Sequence, residues 1–173
     1  MGKDTLRREM AEGKVILNLG CGPVYEKGMI NVDKSTRWRV DEVVDLDILP
    51  WKWGNDSVDG IHMWHCLEHL KDTIGVLREC YRILKVGGWL YIGVPHASCI
   101  NAQGNLEHTG QLFTTASFDF LTSDNYLMGK KMFEQEYLRI RWFQKGFSNM
   151  WLVEWLPQLF INLSPKAFER GWG

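Results

Sequence analysis

The sequence predicts an α/β fold, a parallel β-sheet with helices packed on its faces. Three observations lead there. Short runs that are apolar along their length recur through residues 15–94, bounded by glycine, proline or acidic residues; such runs mark strands buried on both faces. A stretch with apolar residues at helical spacing lies between the last two runs. Glycines or acidic residues follow several of the runs directly, at the carboxyl edge where an open parallel sheet gathers its ligand-binding groups.

The elements follow in order. Residues 4–11 (DTLRREMA) read as a short polar helix. Residues 15–19 (VILNL) are the first strand, closed by the tight turn Gly20-Cys21-Gly22-Pro23. Residues 29–32 are the second strand and end at Asp33; residues 40–45 are the third and end in Asp45-Leu46-Asp47. Pro50, Gly54, Asn55 and Asp56 punctuate a loop that carries Trp51 and Trp53, and residues 58–64 form a fourth strand. Ile74, Leu77, Tyr81 and Leu84 then recur on one helical face, with Asp72 as N-cap and Gly87 as C-terminal stop. Residues 89–94 are the fifth strand, closed by Pro95.

Beyond Pro95 the texture changes. Residues 96–113 read as a polar loop and residues 115–121 as a short capped helix. Residues 136–143 (EYLRIRWF) alternate as a half-exposed strand does, which suits an antiparallel edge. Residues 147–163 place Trp151, Leu152, Trp155, Leu156, Leu159 and Phe160 near helical spacing, the pattern of a buried helical face, broken at Pro157.

Composition narrows the function classes. The chain has 173 residues, 45% hydrophobic and 24% charged, with a formal net charge of −1; that excludes a disordered or collagenous chain and fits one domain. Near-zero charge argues against nucleic acid or anionic membrane as a partner held by bulk electrostatics. The apolar runs are too short to cross a bilayer, and the charged start, Met1-Gly2-Lys3-Asp4, lacks the apolar core of a secretory signal. Cys21, Cys66, Cys80 and Cys99 are widely spaced, with no Cys-x-x-Cys pair and no histidine at finger spacing. Neither a metal site nor a disulfide scaffold is expected from them, and a reducing cytoplasmic setting fits. Four of the nine tryptophans follow residue 140. That tail reads as a packed subdomain, a dimer surface or, last in rank because residues 147–163 hold no Lys or Arg, a membrane-surface helix.

The residues after each strand take the functional reading: Gly20, Cys21 and Gly22, then Asp33, Asp45, His65 and His96. Paired glycines let a ligand approach the backbone, and a carboxylate after the second strand can accept both hydroxyls of a ribose. The dinucleotide fingerprint is incomplete, because Tyr25 stands at its third glycine and Asp33 comes 13 residues after Gly20, where about 20 are expected. Residues 23–28 leave room for a turn and not for the helix N-terminus that a pyrophosphate favours. A nucleoside without phosphates is the better match, and a nicotinamide oxidoreductase is disfavoured.

Six segments together resemble one family: residues 15–22 (VILNLGCG), 31–33 (NVD), 45–51 (DLDILPW), 56–59 (DSVD), 65–70 (HCLEHL) and 77–89 (LRECYRILKVGGW). In this order and spacing the chain resembles the class I S-adenosylmethionine-dependent methyltransferases of the small-molecule, type 11-like group. The resemblance implies a Rossmann-like parallel sheet sandwiched by helices and S-adenosyl-L-methionine as cofactor. It implies that Gly20, Cys21 and Gly22 hold the methionine end of the cofactor, Asp33 the ribose, and Asp45 with the Leu46 backbone the adenine, with His65 near the sulfonium. The family usually has an acidic residue where this chain has Asn18; that residue orients the glycine turn and reaches the cofactor amine through water, and an amide can still hydrogen-bond there. The LNLGCG run and the short turn before residues 31–33 are similar to methyltransferases found with polysaccharide and lipopolysaccharide biosynthesis, which suggests a hydroxylated small molecule or glycan as acceptor.

Methyl transfer to a hydroxyl is helped by a general base, and His65, His96 and His108 are the candidates. Glu68 and His69 read as structural residues of a first helical turn, Asp47 as solvated, and Cys21 and Cys66 as small buried hydrophobes. The resemblance extends over residues 14–96 as the cofactor-binding core, with 97–173 as acceptor-side loop, late strand and tail of one domain, 1–173. The family's sheet commonly ends in a sixth and a seventh strand. Here 136–143 supplies one and nothing strand-like follows Leu163, so a six-stranded sheet is expected, its edge exposed or covered by the Trp-rich tail or by a second copy in a homodimer. The alternative is a protein of the same fold that binds the cofactor without transferring a methyl group.

Overall fold

Ile16, Leu17 and Leu19 leave almost no surface in water, and they seed the centre of the sheet. The computed structural model describes residues 13–124, 129–136, 138 and 162. Five strands run parallel: β1 (Ile16–Leu19), β2 (Ile30–Asp33), β3 (Glu42–Val43), β4 (Val58–Trp64) and β5 (Leu84–Gly93), in the spatial order β3-β2-β1-β4-β5. Two helices, α1 (Thr73–Ile83) and α2 (Ile100–Gln103), and two 3-10 turns, Leu67–His69 and Asp119–Leu121, complete the described elements. The parallel α/β sheet is the one the apolar runs predict. The sixth strand expected over 136–143 and the Trp-rich helical tail lie outside the described residues, apart from Glu136, Leu138 and Asn162, as does the helix expected over 4–11.

The sheet has two unlike faces. Leu17 and Leu19 pair in register with Ile30 and Val32 on β2 and with Ile61 and Met63 on β4, giving one apolar face. The buried Val76, Leu77, Cys80 and Ile83 of α1 add to the core. Each such aliphatic side chain contributes about 1.5–3 kcal/mol through burial. The other face carries Asn31, Asn18, His62 and Tyr91 in register from β2 to β5. His62 and Tyr91 stack with ring centroids 5.2 Å apart. On either side of that pair a tryptophan lies across its partner glycine: Trp89 across Gly60 and Trp64 across Gly93.

Local chemistry sets the element ends. Asp72 caps α1, its Oδ1 accepting from Gly75 N–H at 2.8 Å. The helix stops at Ile83, before Gly87, because Arg82 and Ile83 give their carbonyls to the Asp56 and Ser57 amides and Leu84 already pairs with Val58 in β5. Gly87, at φ +80°, instead serves the irregular start of β5. β3 is shorter than the run 40–45 suggests. The Asp41 carboxylate accepts the Asn31 backbone N–H at 2.8 Å, so a side chain takes the place of a ladder bond. No helix joins β1 to β2, in keeping with the short turn read from residues 23–28.

The chain divides into two compact units, residues 1–112 and 113–173. The first holds all five described strands. In the second, Phe113 and Phe118 stack at 5.7 Å, and the Leu121 carbonyl accepts from Met132 and Phe133 N–H. No helix among the described residues is long and apolar enough to cross a membrane.

Candidate functional site

The strand order reverses between β1 and β4: the chain steps outward through β2 and β3, then returns to place β4 and β5 on the other side. In open parallel sheets ligands bind at that point, beyond the carboxyl ends. Gly20 and Gly22 stand there at φ +65° and +50°, in the left-handed region that glycine occupies freely. A Cβ on Gly20 would overlap the Cys66 side chain, whereas one on Gly22 would meet nothing within 4 Å. Gly20 is therefore required by packing, and Gly22 fronts open space.

Asp33, at the end of β2, ties the turn down. Its Oδ2 accepts the Gly22 N–H at 2.9 Å and its Oδ1 the Ser35 N–H at 2.8 Å. Cys21 N–H donates to the Val32 carbonyl at 3.1 Å. A carboxylate has about four lone-pair sites, so Asp33 keeps acceptor capacity after holding both amides.

Asn18 lies beneath the turn, 3% exposed. Its Nδ2 donates to the Val24 carbonyl at 3.2 Å and to Asn31 Oδ1 at 2.9 Å, while its Oδ1 lies 3.1 Å from His62 Nδ1. The amide thus acts as donor and acceptor at once, which a carboxylate cannot do. Burial lowers the His62 pKa, which favours the neutral ring whose Nδ1–H donates to Asn18.

The corner after β3 is held from a distance. Asp45 Oδ1 accepts the Asp47 N–H at 3.1 Å. The buried Leu46 gives its carbonyl to the Trp51 indole N–H at 3.2 Å, and Trp51 N–H donates to Glu79 Oε1 at 2.6 Å. Arg82 bonds Glu79 and reaches the carbonyls of Trp51 and Trp53, fastening the loop to α1. The Arg82 guanidinium holds the Glu79 carboxyl below its ordinary range. Asp47, read from sequence as solvated, accepts the Lys71 N–H at 2.8 Å.

His65 follows β4 at φ +51°, rare for a residue with a side chain and common at functional turns. Its N–H is held by the Gly93 carbonyl at 2.8 Å. Its Nδ1 lies 3.1 Å from Oε1 of Glu68, a residue only 1% exposed. His108 comes to the same place: its ring meets that of His69 edge-on at 4.8 Å, and Thr109 N–H donates to the Glu68 carbonyl at 3.0 Å. His96 pairs with Ser98, its Nδ1 lying 2.9 Å from Ser98 Oγ. Burial pushes the Cys66 thiol up to about 12, aided by Glu68, and raises the Cys21 pKa too, consistent with unreactive packing thiols.

Sequence reasoning gave Glu68 and His69 a structural role. The signal that could have singled them out is the spacing His65-x-x-Glu68-His69, which puts the carboxylate one helical turn from His65. Burial of Glu68, and the return of His108 to it, are tertiary facts with no local mark.

Residues 5–150 match the family model of a methyltransferase domain. No curated protein matches the chain. Among solved structures, a chain from the complex between the Haloferax volcanii Trm112 methyltransferase activator and a candidate methyltransferase aligns at 27% identity with a TM-score of 0.40, over 53% of this chain and 52% of that one. The YcgJ protein of Bacillus subtilis aligns at 18% identity with a TM-score of 0.40, over 56% of this chain and 52% of that one. The alignments span about half the length of each solved chain.

Proposed function

The chain belongs to the methyltransferase domain family, and we propose that it is an S-adenosyl-L-methionine-dependent methyltransferase acting on a hydroxylated small molecule or glycan. The observation that carries the reading is the bond from Gly22 N–H to Asp33 Oδ2, 2.9 Å long. It joins the glycine turn after β1 to the acid after β2 at the point where strand order reverses.

The residues fit the cofactor. Gly22 fronts open space where a side chain would stand, and Asp33 keeps lone pairs for two ribose hydroxyls. In this reading Gly20, Cys21 and Gly22 hold the methionine end, with Asn18 bracing the turn. Asp45 and the Leu46 backbone hold the adenine. S-adenosyl-L-methionine supplies a methyl group already activated on a sulfonium, so positioning and exclusion of water carry much of the rate. In this reading His65, just after β4, stands near the sulfonium. With Glu68 accepting from Nδ1–H, its Nε2 is free to take the proton that the acceptor hydroxyl loses. His96 and His108 are the other candidate bases. The four cysteines are all free thiols, which suits a reducing cytoplasm.

Calorimetric titration of the full chain with S-adenosylhomocysteine tests the reading. Binding that Asp33→Ala weakens at least tenfold is expected, followed by methyl transfer to a member of a panel of hydroxylated acceptors. No binding at millimolar ligand sinks it. Binding without transfer across the panel favours the non-catalytic alternative, which Asn18 in place of an acid also suits.

A further inference from the structure

Glu68, His69 and His108 each offer one donor atom, and these three atoms lie within 4.8 Å of one another. We propose that they form a binding site for a divalent transition-metal ion, with Zn²⁺ or Mn²⁺ the nearest matches.

Two observations beyond proximity support the site. Glu68 is 1% exposed, and its Oε2 has no hydrogen-bond partner among the described residues, while its Oε1 faces His65 Nδ1 at 3.1 Å. Buried carboxylate oxygens are nearly always satisfied, and a cation satisfies this one. His69 is already set for ligation. Its Nδ1 lies 3.1 Å from the Glu107 carbonyl oxygen. A carbonyl only accepts, so the proton sits on Nδ1 and the Nε2 lone pair is left for a metal. Metal-binding histidines are commonly oriented by such a carbonyl.

The scaffold that unites the donors is local and firm. Thr109 sends both its N–H, at 3.0 Å, and its Oγ1, at 3.2 Å, to the Glu68 carbonyl. The same hydroxyl lies 3.2 Å from the Leu70 carbonyl. The loop carrying His108 is thereby fastened to the turn carrying Glu68 and His69. His108 Nε2 accepts from Asn105 Nδ2 at 3.1 Å, and ligation through that nitrogen takes the place of this bond.

The donor set selects the class of ion. One carboxylate and two imidazoles suit borderline transition metals, whereas Mg²⁺ and Ca²⁺ favour all-oxygen sites. Metal–donor bonds of about 2.1 Å put two donors at most about 4.2 Å apart, so binding draws the three together by rotation of the two half-buried histidines. Three protein donors leave at least one coordination position open. On the hydroxyl-acceptor reading, on which this last step rests, that position takes the acceptor oxygen and eases loss of its proton. His65, bonded to the other oxygen of Glu68, then receives that proton.

The test uses the full chain, stripped with a chelator and titrated with Zn²⁺, Mn²⁺ or Co²⁺. One equivalent is expected to bind, with Co²⁺ giving visible absorption bands. His108→Ala, on a half-buried loop, and Glu68→Gln each lower the affinity by more than the roughly 10–100-fold that loss of a merely supporting residue costs. His96→Ala leaves it unchanged. Failure of all three ions to bind at millimolar concentration overturns the site, as does wild-type affinity in His108→Ala. S-adenosylhomocysteine is titrated in parallel into the metal-free chain. Nucleoside binding without metal binding defeats the metal site and leaves the methyltransferase reading intact; metal binding without nucleoside binding does the reverse.

Discussion

Asn18 Nδ2 donates to Asn31 Oδ1 at 2.9 Å, joining the middle of β1 to the middle of β2. Asn31 cannot turn its amide over to suit another neighbour. Its Oδ1 also accepts the Glu26 N–H at 2.8 Å, and its Nδ2 faces the carbonyls of Glu26 and Met29 and Asp41 Oδ2, each at 3.0 Å. The residue at 18 must therefore donate toward β2 and accept from His62.

Asn18→Asp is accordingly expected to destabilise the protein by about 1–3 kcal/mol, the cost of leaving buried polar groups unpaired. It puts a carboxylate oxygen against Asn31 Oδ1 and the Val24 carbonyl. Chemical denaturation checks this. Unchanged stability together with tighter S-adenosylhomocysteine binding would show that the acid usual in the family is accommodated here after all.

Asp33→Asn tests the division of labour at the ribose position. It keeps one carbonyl oxygen for a backbone amide and turns an amino group toward the other. A charge-assisted bond to a carboxylate is worth about 1.5–3 kcal/mol, so a loss of roughly tenfold or more in S-adenosylhomocysteine affinity is expected by calorimetry. Equal affinity in variant and wild type would remove Asp33 from the cofactor site.

Glu79 and Arg82 make the corner after β3 sensitive to acid. The folded-state pKa of Glu79 lies below its unfolded value, chiefly through its bonds from Arg82. Its contribution is complete above the unfolded value of about 4.3 and is lost as pH falls through the folded one. Glu79→Gln should be less stable than wild type at neutral pH, yet fall less steeply as pH drops below about 4.3. Thermal melts across that range check it, and parallel slopes would count against the coupling.

His65→Gln separates chemistry from binding. With a methyl acceptor in hand, kcat is expected to drop by about 10²–10⁴-fold, while S-adenosylhomocysteine affinity changes little. A loss confined to KM would mean that His65 only positions the acceptor.

Much of this was legible in the sequence where one residue type has one physical use. The apolar runs mark β1, β2 and β4, the glycines at 20 and 22 mark a left-handed turn, and Asp72 marks the start of α1. The extent of β3 was not legible, because an Asp41 side chain replaces a backbone bond, a substitution invisible to periodicity. Nor was the end of α1, where Gly87 competes with the pairing of Leu84 to Val58 and the pairing wins. The sequence places Glu68 in a first helical turn; its burial and the return of His108 to it across a loop come only from the fold.

Trp89 across Gly60 and Trp64 across Gly93 carry a consequence for how this chain can evolve. A Cβ at either glycine would overlap the indole facing it, and cross-strand aromatic–glycine pairs stabilise a sheet jointly rather than singly. The four positions therefore form two epistatic couples. A single substitution at either glycine displaces a ring, whereas the same change made after its tryptophan has shrunk is tolerated. Variation there should arrive in matched pairs, and in one order: the ring yields first.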